Sequence, residues 1–578
     1  MASEPSSNAD SPVVAYFSME IALHPAMKTY SGGLGVLAGD MIRAAADSGV
    51  PMVAVSLIHR LGYFRQELNP EGYQIEHDAN WPIEEHLEKL PQRVLLSVEG
   101  REVMLRAWKY NVSGVKGAIV PVYLLDSNLS ENCEGDRGLT DKLYGGNGRY
   151  RLLQEMILGI GGVRLLRALG YNNVSRFHMN EGHAALIGLE LLDESAKSRG
   201  RKTFDHEDVE HVRRQCVFTT HTPVSAGHDQ FPLSVAQGAL GRADIFDNHE
   251  VFCCDGVLNM TYLALNLSHY VNGVAKKHGE VSRAMLQPKR DELNYQIDWI
   301  TNGVHTATWA APPFQEIFDR YLPGWREDSY SLRNALIIPP QAVWRAHAVA
   351  KYDLIARVNS SQGSELNVDA LTVGFARRAA TYKRGDLIFH DLDRLRALSS
   401  PTRPIQLIFA GKAHPADNEG KEIIRRIFHA RTQLAPNIEV AYLENYDMEL
   451  AKLLVAGCDV WLNTPEPPLE ASGTSGMKAA VNGVPSLSVL DGWWLEGCVE
   501  GVTGWAIGSL PGSPVSSGDR RLNDANSLYN KLENEIIPLF YNQWGRYVET
   551  MRHCIALNGS FFSAQRMLQQ YVSKAYFI

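Results

Sequence analysis

The sequence predicts an α/β protein made of two doubly wound domains that face each other across a cleft. Three observations carry this expectation. The chain has 578 residues, more than one hydrophobic core normally serves, so two large domains are the default. From residue 371 onward, short apolar runs alternate with helical runs at the spacing of βα units, which makes a parallel sheet. Near the other end, Val13 to Met19 and Met52 to Ile58 read as strands. Between them a helix opens at Ser31-Gly32-Gly33-Leu34-Gly35 and runs to about Asp47.

Composition sets the outer limits. Hydrophobic content of 45% and charged content of 21% are those of a globular protein. A net charge of −9 argues against a nucleic-acid footprint, although local basic patches can still bind phosphate. The seven cysteines show no metal-type spacing, and their odd number suits reduced thiols in a cytoplasm. Leu152 to Leu169 is the longest apolar helix candidate. Glu155, Arg164 and Arg167 interrupt it, so it reads as a core helix and not a membrane span.

Taken in order, residues 1–12 are small and polar and read as a disordered tail without the apolar core of a signal peptide. Residues 13–308 form the first domain. The glycine loop at its start aims backbone N–H groups at an anion, which a free phosphate satisfies. Its distance from the preceding strand argues against a dinucleotide fingerprint. Residues 60–140 alternate short strands with turns and carry no obvious chemistry. From Leu143 the pattern turns helical. Ser175 to His183 precedes a helix, Ala184 to Leu192. His178, Glu181 and His183 invite a metal reading, but the spacing is not HExxH, and such loops more often meet sugar hydroxyls or solvent; no metal is expected. Val217 to Pro223 and Trp299 to His305 are strands running into polar loops, the form expected at the mouth of a sheet.

Residues 309–578 form the second domain. Leu371 to Ala376, Ile405 to Ala410 and Ile438 to Leu443 are its first strands. Asp386 to Leu398, Lys421 to Gln433 and Met448 to Ala456 are the helices that follow them. Next comes the strand Asp459 to Leu462, then Glu470-Ala471-Ser472-Gly473-Thr474-Ser475-Gly476-Met477-Lys478. A short helix, Met477 to Val481, is stopped by Asn482-Gly483, and Val484 to Leu490 is the next strand. Lys478 falls in the first turn of that helix. A lysine amine in a packed site can lose its proton and form a Schiff base with an aldehyde cofactor. On spacing alone the segment reads as an ordinary strand-to-helix loop with a solvated lysine. A basic run, Arg377 to Arg384, follows the first strand of this domain directly, where a ligand site is expected. Leu528 to Phe577 is helical and closes the chain.

The whole motif says more than its spacing. Glu470-Ala-Ser-Gly-Thr-x-x-Met-Lys478, followed by Asn482-Gly483 and Leu490-Asp491-Gly492, resembles the pyridoxal-phosphate lysine segment of the α-glucan (glycogen, starch, maltodextrin) phosphorylases. The resemblance runs from about residue 14 to the end and implies two Rossmann-like domains in the glycosyltransferase-B arrangement. It implies Lys478 as the lysine that carries pyridoxal 5′-phosphate. Gly32 and Gly33 resemble the loop whose backbone approaches the cofactor phosphate and the substrate phosphate. Arg378 and Lys383 would hold orthophosphate, Arg377 would approach the cofactor phosphate, and Tyr382 would touch a sugar hydroxyl. His221 and Asn302 match the pair at the sugar 6-hydroxyl. Trp309 and Tyr446 match aromatics near the cofactor. Glu470, Ser472 and Gly473 would bind the remaining sugar hydroxyls, and Thr474 and Ser475 the cofactor phosphate. Glu181, His183 and Thr222 align with residues lining the pocket beside the sugar.

Some positions depart from the pattern. Ser475-Gly476 stands where the long enzymes carry Gly-Asn, and Trp493-Trp494 replaces smaller residues. Ala22 stands for a tyrosine, and Asp447 for an arginine beside the cofactor phosphate. The implied reaction is phosphorolysis: an α-1,4-glucan plus orthophosphate gives glucose 1-phosphate with retention, the cofactor phosphate relaying a proton. The resemblance implies a short form without the N-terminal extension that carries regulation, and a homodimer as the usual assembly. Two rival readings share the fold, a nucleotide-sugar-dependent synthase and a non-catalytic glucan-binding relative. Neither accounts for Lys478, Arg378, Lys383 and His221 together.

Overall fold

The computed structural model describes residues 13–224, 228–242, 244–247, 249–252, 256–286, 297–509 and 517–577; the expected tail, residues 1–12, lies outside them. The chain builds two large sheets. The first has nine strands in the order Asp298–Trp299, Tyr270–Gly273, Cys216–Thr219, Val174–Asn180, Val13–Ser18, Met52–Leu57, Ile119–Asp126, Arg101–Ser113 and Glu88–Val98. The first seven run parallel and the last two antiparallel. The second sheet is wholly parallel, in the order Glu439–Leu443, Ile405–Ala410, Leu371–Ala376, Val460–Asn463, Ser486–Val489 and Gly504–Ile507. Its parallel strands are buried on both faces, as their unbroken apolar runs require.

In both sheets the order in which strands are added switches sides at the first strand. In the second sheet the switch lies between Leu371–Ala376 and Val460–Asn463, neighbouring parallel strands. Loops leaving such a pair at their carboxyl ends diverge and open a crevice. Arg377 to Lys383 leaves one strand and Glu470 to Lys478 follows the other. In the first sheet the switch lies between Val13–Ser18 and Val174–Asn180. The glycine loop and Glu181 follow those two strands.

Several elements differ from the sequence expectation. Residues 60–140 contain two long strands, Glu88–Val98 and Arg101–Ser113, joined at Glu99-Gly100. Both turn residues have positive φ, 51° and 75°, the geometry of a tight hairpin whose twist matches its strands. Charged residues on the outer face hid the alternation. Asp386 to Leu398 is not one helix. A short turn at Leu387–Phe389 ends, and a helix restarts at Leu392–Leu398 because Asp391 caps it, accepting from Arg394 N at 2.9 Å. The helix expected from Ala184 begins later, at Ile187–Ser198. The lysine helix starts earlier, at Thr474–Val481. Gly473, at φ 89°, turns the chain into it, which puts Lys478 in the second turn and not the first. No helix among the described residues is long and apolar enough to cross a membrane.

A hairpin and the C-terminal helix are among the elements that bind the two halves of the chain together. The hairpin Arg65–Leu68/Gln74–His77 reaches across to the second sheet. There Gln66 Nε2 donates to Gly411 O at 2.9 Å, Gln74 Nε2 donates to Ala413 O at 3.0 Å, and Lys421 pairs with Glu76 at 2.7 Å. The C-terminal helix Ala564–Tyr571 returns to the first sheet and packs Met567, Leu568 and Tyr571 with Val14, Tyr16 and Ile42.

Candidate functional site

The floor of the crevice comes from the second sheet. Because their strands are neighbours, the loops at 377–383 and 470–478 meet. Glu470 Oε2 lies 2.6 Å from Lys383 Nζ and 2.7 Å from Arg377 Nη1. Burial alone would raise the Glu470 carboxyl, but the two cations overcome it and hold it down at about 2. Asp491 supports this loop from behind, its Oδ2 accepting from Glu470 N at 2.8 Å and its Oδ1 from Gly492 N at 2.9 Å. Burial pushes the Asp491 carboxyl up to about 7, against those two bonds. Asp491 belongs to the quoted Leu-Asp-Gly segment, yet nothing in the sequence says that it faces Glu470.

Lys478 is buried, and its Nζ lies 4.2 Å from the centre of the Trp309 ring. Burial lowers its amine to about 8; Asp40 opposes that and Arg377 adds to it. Trp309 Nε1 donates to Asp40 Oδ2 at 2.8 Å. Two of the departures prove to be coupled: a Cβ on Gly476 would stand 2.7 Å from Trp493 Cζ2, so the missing side chain makes room for the indole. The Ser475 hydroxyl accepts from Trp461 Nε1 at 3.1 Å, and Thr474 opens the helix. Burial pushes the Tyr446 phenol up. Asp447 caps the next helix, accepting from Leu450 N at 3.1 Å, and lies 4.0 Å from Lys28 Nζ. Tyr30, which the sequence reading missed, accepts there from Met448 N at 2.9 Å.

The glycine loop faces this floor. Glu20 Oε2 accepts from Ser31 N at 2.6 Å and Gly32 N at 3.1 Å, and Tyr144 donates to Glu20 Oε1 at 3.0 Å. Gly33 opens the helix Gly33–Ser48, and nothing lies within 4 Å of where its Cβ would be. A Cβ on Gly32 would stand 3.6 Å from Arg378 Nη2. Arg378 is accessible, although Tyr63, Tyr382, Glu20 and Tyr144 all act on it, so it lines a cleft wall. The basic run therefore splits: Arg377 and Lys383 turn to Glu470, Arg378 to the glycine loop. Lys383 Nζ also lies 4.6 Å from the centre of the Tyr382 ring.

The remaining wall comes from the first sheet. His221 Nε2 bonds Asn180 Oδ1 at 2.7 Å, and His221 N donates to Glu181 Oε2 at 2.8 Å. The same carboxylate oxygen accepts from Thr222 Oγ1 at 2.9 Å. Glu181 adopts φ 77°, a conformation that typically costs about 1–3 kcal/mol and persists only where the surroundings fix it. Burial pushes His221 down to about 3, and His278, His178 and His183 add to the shift. His183 Nε2 lies 3.3 Å from Asp229. His178 turns away from the cleft, bonding Tyr576 at 2.6 Å and Thr219 at 2.9 Å. Among the described residues no His, Cys, Asp and Glu cluster is arranged to hold a metal ion. Asn302 follows Asp298–Trp299, two strands from His221 in the sheet. Its Oδ1, with Ser472 Oγ and Thr220 Oγ1, is buried without a hydrogen-bond partner among the described residues. Buried polar atoms are rarely left so unless something else bonds them.

A family model described as carbohydrate phosphorylase matches residues 229–500. The chain is 40% identical to a maltodextrin phosphorylase of Thermococcus litoralis, over 97% of this chain and 70% of that protein. It is 39% identical to a glycogen phosphorylase of Mycobacterium tuberculosis, again over 97% and 70%. A glycogen phosphorylase of Aquifex aeolicus is 36% identical, over 97% of this chain and 86% of its own.

Proposed function

Starting from the premise that this chain belongs to the carbohydrate phosphorylase family, we propose that it catalyses the phosphorolysis of α-1,4-glucans: glycogen, starch or maltodextrin plus orthophosphate gives glucose 1-phosphate with retention and a glucan one unit shorter, orthophosphate giving its proton to the leaving glycosidic oxygen and its own oxygen to the anomeric carbon. Its two α/β sheets are those of the glycosyltransferase-B arrangement, and residues 13–308 and 309–578 are read as its two lobes. The observation that carries the reading is a buried lysine amine acted on by Arg377, in a crevice where Arg377 and Lys383 share Glu470 and Arg378 faces a glycine-opened helix.

The residues fit pyridoxal 5′-phosphate. A buried amine lowered to about 8 is partly neutral near physiological pH, as covalent attachment of an aldehyde requires. Lys478 would carry the group beside Trp309 and Tyr446, with Thr474, Ser475, Gly32, Gly33 and Arg377 toward its phosphate. Bound there, the cofactor would supply a phosphate able to act as an acid or base toward the substrate phosphate.

The chain's own groups supply the rest. Arg378 and Lys383 bind orthophosphate, and phosphate competes with Glu470 for Lys383. Charge-assisted bonds from these cations offset the repulsion between neighbouring phosphates. Glu470 released in this way accepts from a sugar hydroxyl, beside Ser472 and Gly473. His221, Asn302 and Tyr382 bond further hydroxyls, and Glu181, His183 and Thr222 fix the loop beside them. The His221 carbonyl faces the charge that develops at the anomeric carbon. Excluding water from the crevice keeps hydrolysis from competing with phosphate. Asp491 is not a second glycosidase carboxylate, because both of its oxygens hold backbone N–H groups. A homodimer in the cytoplasm is the proposed form. The test is incubation with maltodextrin and orthophosphate, with NMR of the product. The α-anomer of glucose 1-phosphate is expected, and free glucose or a requirement for a nucleotide sugar would refute the assignment.

A further inference from the structure

Two carboxylates of the helix Gly33–Ser48 stand two turns apart and bind one short segment between the lobes. Asp47 Oδ2 bonds His305 Nε2 at 2.7 Å, and Asp40 Oδ2 accepts from Trp309 Nε1 at 2.8 Å. The other side of Trp309 is held by the lysine helix. Asn482, at its end, donates to Trp309 O at 2.8 Å and to Lys478 O at 3.0 Å, and accepts from Ala311 N at 2.8 Å. The indole is thus clamped between the helix behind the glycine loop and the helix that bears Lys478.

A carboxylate is an expensive choice for that bond. Asp40 is buried, its Oδ1 has no hydrogen-bond partner among the described residues, and Arg43 Nη1 lies 3.6 Å from it. Arg43 is itself anchored on Ala22 O and Leu23 O. A neutral amide would accept the indole N–H without the desolvation penalty of a charge. The charge is useful because two cations feel it: Arg43, whose Nη1 lies 3.6 Å from Asp40 Oδ1, and the Lys478 amine. Two charged groups act on Lys478: Asp40 from the glycine-loop helix and Arg377 from the loop after Leu371–Ala376. Asp47 and Tyr110 act on Arg43 in turn.

We propose that Asp40 is a positioning residue for Lys478: bonded to Trp309 Nε1, it fixes the indole face against the amine and supplies the negative charge that opposes Arg377. The proposal rests on the reading of Lys478 as the cofactor lysine. Burial drives the amine toward neutrality, Asp40 restrains that drive, and the balance falls at about 8. Removing the charge lowers the value further.

The test uses the full chain freed of cofactor, with added pyridoxal phosphate as probe. The adduct is reduced with borohydride at a series of pH values and mapped by mass spectrometry. For the wild type, labelling at Lys478 is expected to reach its midpoint at about 8. Asp40→Asn keeps the shape and an acceptor for the indole N–H. Its midpoint is expected to fall by on the order of one pH unit, the effect of one nearby charge. Trp309→Phe keeps the ring and the charge but loses the donor, so labelling should slow severalfold with little change in midpoint. Thermal melts of both variants separate these effects from loss of fold. An Asp40→Asn midpoint equal to that of the wild type overturns the proposal, whatever the activity. Wild-type label on other lysines and not on Lys478 overturns the cofactor reading, and the proposal with it.

Discussion

The two sides of the cleft differ in what they hold in place. On the first-sheet side, His221, Asn180 and Thr222 form a mesh of uncharged groups around the Glu181 carboxylate, and burial keeps both His221 and His178 at about 3. On the second-sheet side, Glu470 is held at about 2 between two buried cations. Neutral donors and acceptors match sugar hydroxyls, and a cation pair sharing one carboxylate can exchange it for phosphate. On the proposed reading the sugar meets both walls while orthophosphate meets the charged one, so the two walls should respond differently to mutation and pH.

The largest expected effect breaks the charged side. Glu470→Gln leaves Arg377 and Lys383 buried without their anion, a change that typically costs about 3–5 kcal/mol. Urea denaturation should show that loss, and orthophosphate should recover part of it. Equal rescue of Glu181→Gln by phosphate would erase the contrast. Arg378→Ala comes next. Losing a charge-assisted bond, worth about 1.5–3 kcal/mol, should raise the KM for phosphate roughly tenfold to a hundredfold and leave that for maltodextrin nearly unchanged. Asn180→Ala is the counterpart on the other wall. Losing one neutral bond, about 1 kcal/mol, should lower kcat/KM for glucan roughly fivefold, with phosphate binding intact.

The smallest effect near neutrality is that of pH. His221 titrates at 6.5 when free and at about 3 in the fold, so the unfolded chain binds the extra proton between those values. Stability therefore falls as pH drops below 6.5, by up to about 1.4 kcal/mol per pH unit for each such histidine. Glu470 has its free value at 4.5 and its folded value at about 2, so its contribution is full above 4.5 and is lost below it. Acid should weaken the first-sheet histidines first and the anion cluster later. Urea midpoints of His221→Gln and wild type against pH should converge as pH falls from 6.5.

Much of this was legible in the sequence because it is local. Apolar runs at βα spacing predict the second sheet, and the glycine loop Ser31 to Gly35 marks the helix start on the first-sheet side, whereas the lysine helix begins at Thr474, three residues before the expected Met477. Contacts between distant segments were not legible. Asp40 meets Trp309 across 269 residues, and Tyr576 meets His178 across 398. Neighbours in sequence can also part in space: nothing in Arg377-Arg378 tells that one turns to Glu470 and the other to the glycine loop. The departures at Gly476 and Trp493 are separate in the sequence, but in the fold the missing side chain of one makes room for the indole of the other.

The most direct test of the whole arrangement compares wild type with Lys478→Ala in maltodextrin and orthophosphate, following glucose 1-phosphate and the protein's absorption spectrum together. The wild type should show both the product and a pyridoxal-type band, and the variant should lose both while keeping its fold. Product formation that survives in Lys478→Ala would contradict the account.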